Sequence, residues 1–447
     1  MADTSSARTK VLAWGSNVFN QIHPEADSGS APYTVQDAAS ILAICTYQTV
    51  VLTQSGDIQV LGEAPGLIGQ AIQSVLDDQN SRRSSETDEL VFVGYDIFEA
   101  VLDIKRNRCC FVQYGEEEEE GSVDLVEGSS WKTAAVDGRG RCMAVDLDGQ
   151  VYLFDSVAIL RAATGKGEDA VRLRDARRFT AHQYSPAGSS STATTELPKF
   201  DKVTAGNAHF VLLTQDSKEV CPVWIFGDAR FGSVPLHPFD HITLVGLLPP
   251  TDSSPEQPTP STAPADVPFL MPVPHFSPNQ GFPSRIATAA VGARHTLILT
   301  SDGDIYGWGW NEDSPLLPFG TTTEPQWENN LVYEPTLIPL PSHPSTADNT
   351  LALTKIAASN GRSFGITMEG RLVVAGSNEG ECLALDLELG GLEKTPRFER
   401  EFSQIKKAYD CVNGWQLHPE MGAMDGGRVV DVRGTSLVTF ITVQVKE

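Results

Sequence analysis

"GARHTLILTSDGDIYGWGWN" spans residues 292–311 and sets Tyr306, Trp308 and Trp310 on alternate positions, with Gly307 and Gly309 between them. Alternation of period two belongs to a β-strand, so three aromatics share one face and two glycines the other. A lone hairpin cannot bury so large an aromatic face. Something must pack on it, and something must come close on the glycine side.

The stretch recurs along the chain. Counted from Gly292, a histidine stands at +3 (His295), a threonine at +8 (Thr300), a glycine at +11 (Gly303) and the strand ends at +17 (Gly309). The frame returns from Ser359 with Thr367, Gly370 and Gly376, and from Cys45 with Thr53, Gly56 and Gly62. A fourth copy begins at Gly138 and keeps Gly149, while Asp146 and Asp155 replace two of its marks. A fifth holds Gly206, His209 and Thr214 and reaches Gly227 four residues late. Each copy reads as a hairpin: a β-branched, aliphatic strand, a glycine after a small or acidic residue, and a second strand ending at glycine.

The chain ends carry complementary halves. "GTSLVTFITVQVKE" (434–447) starts a copy and stops at the turn, while "KVLAWGSN" (10–17) is a second half without a first. Pairing of the two terminal strands closes a ring, which an open solenoid does not explain. Strand ends fall at Gly15, Gly62, Asp155, Gly227, Gly309 and Gly376. The 93 residues from Gly62 to Asp155 leave room for a degraded copy, "NRCCFVQYG", ending at Gly115. The expectation is an all-β, seven-bladed β-propeller over residues 1–447 as one domain.

The frame G-x-x-H-T-x-x-L-T-x-x-G-x-[IV]-Y-x-W-G-x-N resembles the repeat of the regulator of chromosome condensation family, and "WGSNVFNQI" (14–22) resembles that repeat's trailing half, with Asn20 in place of a glycine. The resemblance implies a seven-bladed propeller of that type. It leaves function open, because the family includes exchange factors, chromatin readers, enzyme inhibitors and scaffolds. "GDIYGWGWNED" (303–313) is most similar to the condensation-regulator domain-containing proteins, whose vertebrate member associates with a histone demethylase. A fungal group of small propellers is tied to diphthamide and tRNA wobble modification.

Charge narrows the partners. Lys and Arg number 33 against 58 Asp and Glu, a formal charge of −25. So acidic a surface repels duplex DNA unless a local basic patch intervenes. The nucleosome-binding, exchange-factor member of the family is therefore a poor template. The basic patch on offer is residues 161–178, with a net charge of +3 and Arg172, Arg174, Arg177 and Arg178 close together. A solvated insertion neutralised by Glu116–Glu120 is the simpler account of it; a docking site for an acidic partner is the other.

Residues 249–283 contain 11 of the chain's 28 prolines among serines and threonines. Such composition predicts an extended, disordered insertion, as do residues 116–122 and 161–195. "PEQP" (255–258) has PxxP spacing but no flanking basic anchor. No apolar run is long enough to span a membrane, "MADTSSARTKVLAWG" lacks the apolar core of a signal peptide, and seven scattered cysteines do not form a disulfide framework. These point to an intracellular, monomeric protein of cytoplasm or nucleus.

Chemistry is absent from the motifs. There is no C-x-x-C or H-E-x-x-H pair, no phosphate-binding loop and no G-x-S-x-G elbow. "DLDGQ" (146–150) starts like a calcium loop but lacks the third acidic ligand and the distal glutamate. His209 and His295 share a frame position occupied elsewhere by Gln48, Arg141, Arg362 and Leu437, which suits a polar residue bonding the next blade. Trp14, Trp224 and Trp308 are expected to wedge between blades, and Trp310 to stand at the rim as a candidate partner-binding residue. The reading is a non-catalytic scaffold without metal or cofactor, binding a protein in chromatin or in RNA and translation modification. The alternative is a guanine-nucleotide exchange factor for a small GTPase.

Overall fold

The glycine-marked hairpins become the middle of seven antiparallel sheets, each continued inward by the strand before the anchor residue. The computed structural model describes residues 8–22, 29–76, 90–115, 121–164, 177–178, 197–215, 221–229, 232–235, 270–318, 331–341, 351–379, 382–383, 411–419, 421 and 427–445. Seven innermost strands run Ala38–Ile44, Leu90–Gly94, Trp131–Val136, Phe200–Ala205, Ile286–Val291, Leu353–Ser359 and Arg428–Gly434, opening blades 1 to 7. Innermost strands lie against one another from blade 2 through blade 7 and from blade 7 to blade 1, which places them around the axis of a seven-bladed propeller.

Blade 7 closes the ring. Its order is Gly29–Val35, Arg8–Gly15, Val438–Val445 and Arg428–Gly434, so the chain's two ends supply two strands each. Arg8 pairs with Val445 and the register runs unbroken to Gly15 opposite Val438. Continuous pairing at the seam leaves no open edge where the circle ends. Blade 2 also exists in full, its four strands running from Leu90 to Glu127, although its sequence keeps little of the frame.

Blade 1 has three strands among the described residues. Beside it the helix α1 (Pro65–Leu76) buries Ile68, Ala71, Ile72 and Val75, one stripe at helical spacing, with Phe98, Val101, Cys110 and Val112 of blade 2. The strand frame carries no sign of this helix.

The glycines between the aromatics mark close approaches. Gly309 has φ 114°, and a Cβ there would overlap the carbonyl of Arg294 on the paired strand. A side chain on the anchor Gly292 would strike the carbonyl of Ser359 in the next blade.

The insertions differ from expectation where they are described. Ser122 opens the outer strand of blade 2, α2 (Val157–Thr164) occupies the start of 161–195, and Arg177–Arg178 pair with Leu153 and Tyr152 as the outer strand of blade 3. In 249–283, residues 270–283 are ordered structure: Met271–Pro272 pairs with Ile225 and Trp224 as the outer strand of blade 4, and short 3-10 turns follow at Pro274–Phe276 and Pro278–Gln280. Leu270, Met271, Val273 and Phe276 are buried. The proline count masks an apolar side chain at every second or third position here, and proline's fixed φ suits the first residue of each turn. The rest of these insertions lies outside the described residues.

This segment is what covers the aromatic face. Phe276 stands 5.7 Å from Tyr306 and 6.2 Å from Trp308, ring centroid to centroid, and Phe282 stands 5.4 Å from Tyr306. On the glycine side, Leu316, Ile338 and Leu297 close over Gly307. Trp224 departs from its expected wedge: its ring meets Phe200 edge-on and its Nε1 donates to the Cys221 carbonyl, all within blade 4.

Candidate functional site: the loop face of the ring

Most recurring polar residues are occupied in holding blade to blade. His209 of blade 4 places Nε2 3.0 Å from Thr296 Oγ1 of blade 5, and His295 of blade 5 places Nε2 3.0 Å from Ser363 Oγ of blade 6. Gln48 accepts from the Phe98 amide of blade 2 at 2.8 Å. Arg141 lies 5.8 Å from the Phe210 ring centre of blade 4. Arg362 donates to the Thr435 and Ser436 carbonyls of blade 7 at 3.2 and 3.1 Å. Both histidines are fully buried, and burial pushes His209 down to about 3 and His295 to about 4. They are neutral, structural groups, as their shared frame position suggests.

The tryptophans at the third-strand ends bridge the same seams. Trp308 is wholly buried and its Nε1 donates to the Ser233 carbonyl of blade 4 at 2.9 Å. Trp14 repeats the contact, donating to the Cys382 carbonyl of blade 6 at 2.8 Å.

Beyond the glycine that ends a third strand, the asparagine two residues on builds a loop in three blades. Asn17 Oδ1 accepts from the Ile22 amide at 2.8 Å. Asn311 Oδ1 accepts from the amides of Leu316 and Leu317, and Asn378 Oδ1 from that of Leu383. Buried amide-to-backbone bonds of this kind fix a loop's shape in place of a sheet ladder. The asparagine stands in the repeating frame, yet its structural task is visible only once the loop is folded.

What these loops carry outward is the candidate surface. Val18, on the Asn17 loop, is 74% exposed, and the neighbouring Phe19 ring lies 4.3 Å from that of Tyr47 in blade 1. Trp310, half-buried at the start of the Asn311 loop, donates from Nε1 to Glu312 at 3.1 Å, and the Arg294 guanidinium sits 5.9 Å from its ring centre. An aromatic ring held between a cation and a carboxylate is a preorganised anchor of the sort that dominates protein interfaces.

The other predicted residues stand apart from it. Arg177 and Arg178 form the outer edge of blade 3, and Arg172 and Arg174 lie outside the described residues. Arg161, at the start of the same basic stretch, is engaged by Asp124 of blade 2 at 2.8 Å. The loop face thus gathers Trp310 but not Arg177 and Arg178.

Chemically the described part of the ring is quiet. No group of three or more His, Cys, Asp or Glu there could hold a metal ion. The seven cysteines are buried thiols, and burial pushes Cys45 up to about 12 and Cys221 to about 11. Such thiols are poor nucleophiles. No helix among the described residues is long and apolar enough to cross a membrane.

Comparison with known proteins agrees with this geometry. Residues 286–314 match the regulator of chromosome condensation (RCC1) repeat, which covers the inner three strands of blade 5 and the start of the Asn311 loop. Yeast RCC1 (Prp20), in its crystal structure bound to Kap60, superposes with a TM-score of 0.60 at 14% identity, covering 99% of this chain and 90% of that one. Prp20p from Saccharomyces cerevisiae, reported with its binding properties to Gsp1p and histones, gives 0.60 and 14% over 99% and 93%. At this identity the likeness is one of fold. The chain carries an RCC1 repeat and folds as a seven-bladed propeller of RCC1 type.

Proposed function

We propose that this RCC1-type propeller is a non-catalytic scaffold that docks a protein partner on its loop face, around Trp310. The observation that carries the reading is the placement of that ring. It is half-buried, bracketed by Arg294 and Glu312, and mounted on a loop fixed by Asn311, while the equivalent effort elsewhere goes into sealing the seams. The described site offers a partner area and hydrogen bonds, and no reacting group. The net charge of −25 favours a basic or neutral protein over duplex DNA. A partner in chromatin or in RNA and translation modification, met in nucleus or cytoplasm, follows from the family resemblance. The basic stretch with Arg172, Arg174, Arg177 and Arg178 is proposed as a second contact, for an acidic partner; Arg177 and Arg178 lie on the outer strand of blade 3. The protein acts as a monomeric ring.

A second reading is guanine-nucleotide exchange on a small GTPase. It is supported by the shared fold with Prp20p, whose structure was reported with its binding to Gsp1p. Affinity purification of the tagged parent and of Trp310→Ala, compared quantitatively, tests the first reading: a specific partner lost with the tryptophan supports it, and an unchanged set sinks it. Nucleotide release from a panel of small GTPases tests the second.

A further inference from the structure

The charge pattern reverses at the axis. The seven innermost strands carry Lys132, Lys202, Lys355, Arg428 and Arg433 but only two carboxylates, Asp201 and Asp431, in a chain where acids outnumber bases 58 to 33. Four of the cations reach across to the next inner strand. Lys132 pairs with Asp201, Lys202 lies 3.5 Å from Thr288 Oγ1, Lys355 pairs with Asp431 at 3.2 Å, and Arg433 donates to the Leu42 carbonyl at 2.6 Å. Asp431 is shared, since Arg433 Nε is 3.1 Å from it as well.

The two carboxylates pair with Lys132, Lys355 and Arg433, whereas Lys202 bonds the Thr288 hydroxyl with Asp201 next to it in the chain. Lys202 is exposed although it sits on an innermost strand, so it opens onto water along the axis. The surrounding wall still removes enough solvent to hold its ammonium below the ordinary value; Arg433, from blade 7, lowers it further, and Asp201 opposes the shift. Lys202 of blade 4 and Arg433 of blade 7 thus stand on innermost strands from opposite parts of the ring, on either side of the axis. Such an arrangement is unfavourable alone and is relieved by an anion between them. An ammonium and a planar guanidinium together suit the oxygens of a tetrahedral oxyanion.

We propose that the axial channel is a binding site for a phosphate group, held between Lys202 and Arg433 with Lys355 beside them. The site is separate from the loop face and does not depend on the scaffold reading. The full chain titrated with inorganic phosphate at constant ionic strength, followed by calorimetry and by thermal melting, tests it. Saturable binding is expected, with a rise in Tm that sodium chloride of equal ionic strength does not give. Lys202→Met and Arg433→Met should each weaken binding about tenfold, the loss of one charge-assisted contact, while Lys10→Met, at an exposed residue of blade 7, leaves it unchanged. Lys202→Gln serves if the methionine variant does not fold. O-phosphoserine, run in parallel, separates a free ion from a carried phosphate: equal or tighter binding assigns the site to a carried group, and much weaker binding to the free ion. Absence of saturable binding, or equal affinity in the parent and both channel variants, overturns the proposal.

Discussion

His295 Nε2 lies 3.0 Å from Ser363 Oγ across the seam between blades 5 and 6, and both side chains are buried. His295 stands three residues after its anchor Gly292, and Ser363 four after Ser359. One blade earlier the same two frame positions, His209 and Thr296, make the same contact at 3.0 Å. The repeat thus encodes a rung from each hairpin to the next. Gln48, Arg141 and Arg362 make it in other chemistries, because any long polar side chain at that position can reach the neighbouring blade.

These histidines make stability fall with acid. Burial lowers His209 to about 3 and His295 to about 4, from 6.5 for the unfolded residue. A folded value below the unfolded one means that only the unfolded chain takes up the proton as pH falls beneath 6.5. The contribution is whole above that pH and is lost progressively towards the folded values. At pH 5 each histidine should cost about 2 kcal/mol relative to pH 7.5. Urea midpoints at pH 5, 6 and 7.5 for the parent and for His209→Gln and His295→Gln check this. The variants should show a flatter decline, and equal slopes would refute the assignment.

Legibility in the sequence tracked how directly a side chain answers to backbone geometry. Gly309 and Gly292 are legible because their φ or their neighbour's carbonyl forbids any side chain, so the frame shows them plainly. Closure was legible for a similar reason, since half-copies 10–17 and 434–447 complete each other strand for strand. Phe276 was not legible, because its apolar environment is made by Tyr306 and Trp308 thirty residues on, while local composition is ruled by proline. The α1 stripe has a helical period, so it lies outside the strand frame that marks the blades. Of the site, Trp310 could be singled out as the aromatic without counterparts, but Arg294 and Glu312 become its partners only through the hairpin that brings them together. The cations of the axis are scattered over four strands and meet only in the closed ring.

Removal of residues 434–447 takes away Val438–Val445, the strand paired with both Arg8–Gly15 and Arg428–Gly434. Blade 7 is then divided and the ring carries open edges along the N-terminal strand. The truncated chain should aggregate or melt far below the parent, by size exclusion and thermal melting. An unchanged Tm would show that the terminal pairing is dispensable.

Replacement of residues 270–282 by a Gly-Ser linker should destabilise markedly, although loop length alone matters only logarithmically. The replacement removes an outer strand from blade 4 and uncovers Tyr306 and Trp308. Phe276→Ala isolates the packing part, and about 3–5 kcal/mol is expected for emptying a buried aromatic site. A chemical-denaturation midpoint within error of the parent would mean that the segment only rests on the ring.

Trp308 and Trp310 share a strand face two residues apart, yet they should behave oppositely. Trp308 is enclosed, donates to the Ser233 carbonyl and faces Phe276, so Trp308→Ala leaves a cavity and an unsatisfied buried carbonyl. About 3–5 kcal/mol of stability should be lost. Trp310 is half in solvent with its polar contacts at the rim, and Trp310→Ala should stay within about 0.5 kcal/mol of the parent, as surface substitutions usually do. Partner capture should show the reverse order: Trp310→Ala loses it while remaining folded, and Trp308→Ala, assayed well below its melting temperature, retains it. Paired denaturation midpoints and capture yields for the two variants decide the matter. A large stability loss at Trp310 would make it a second seam residue and remove the anchor from the loop face.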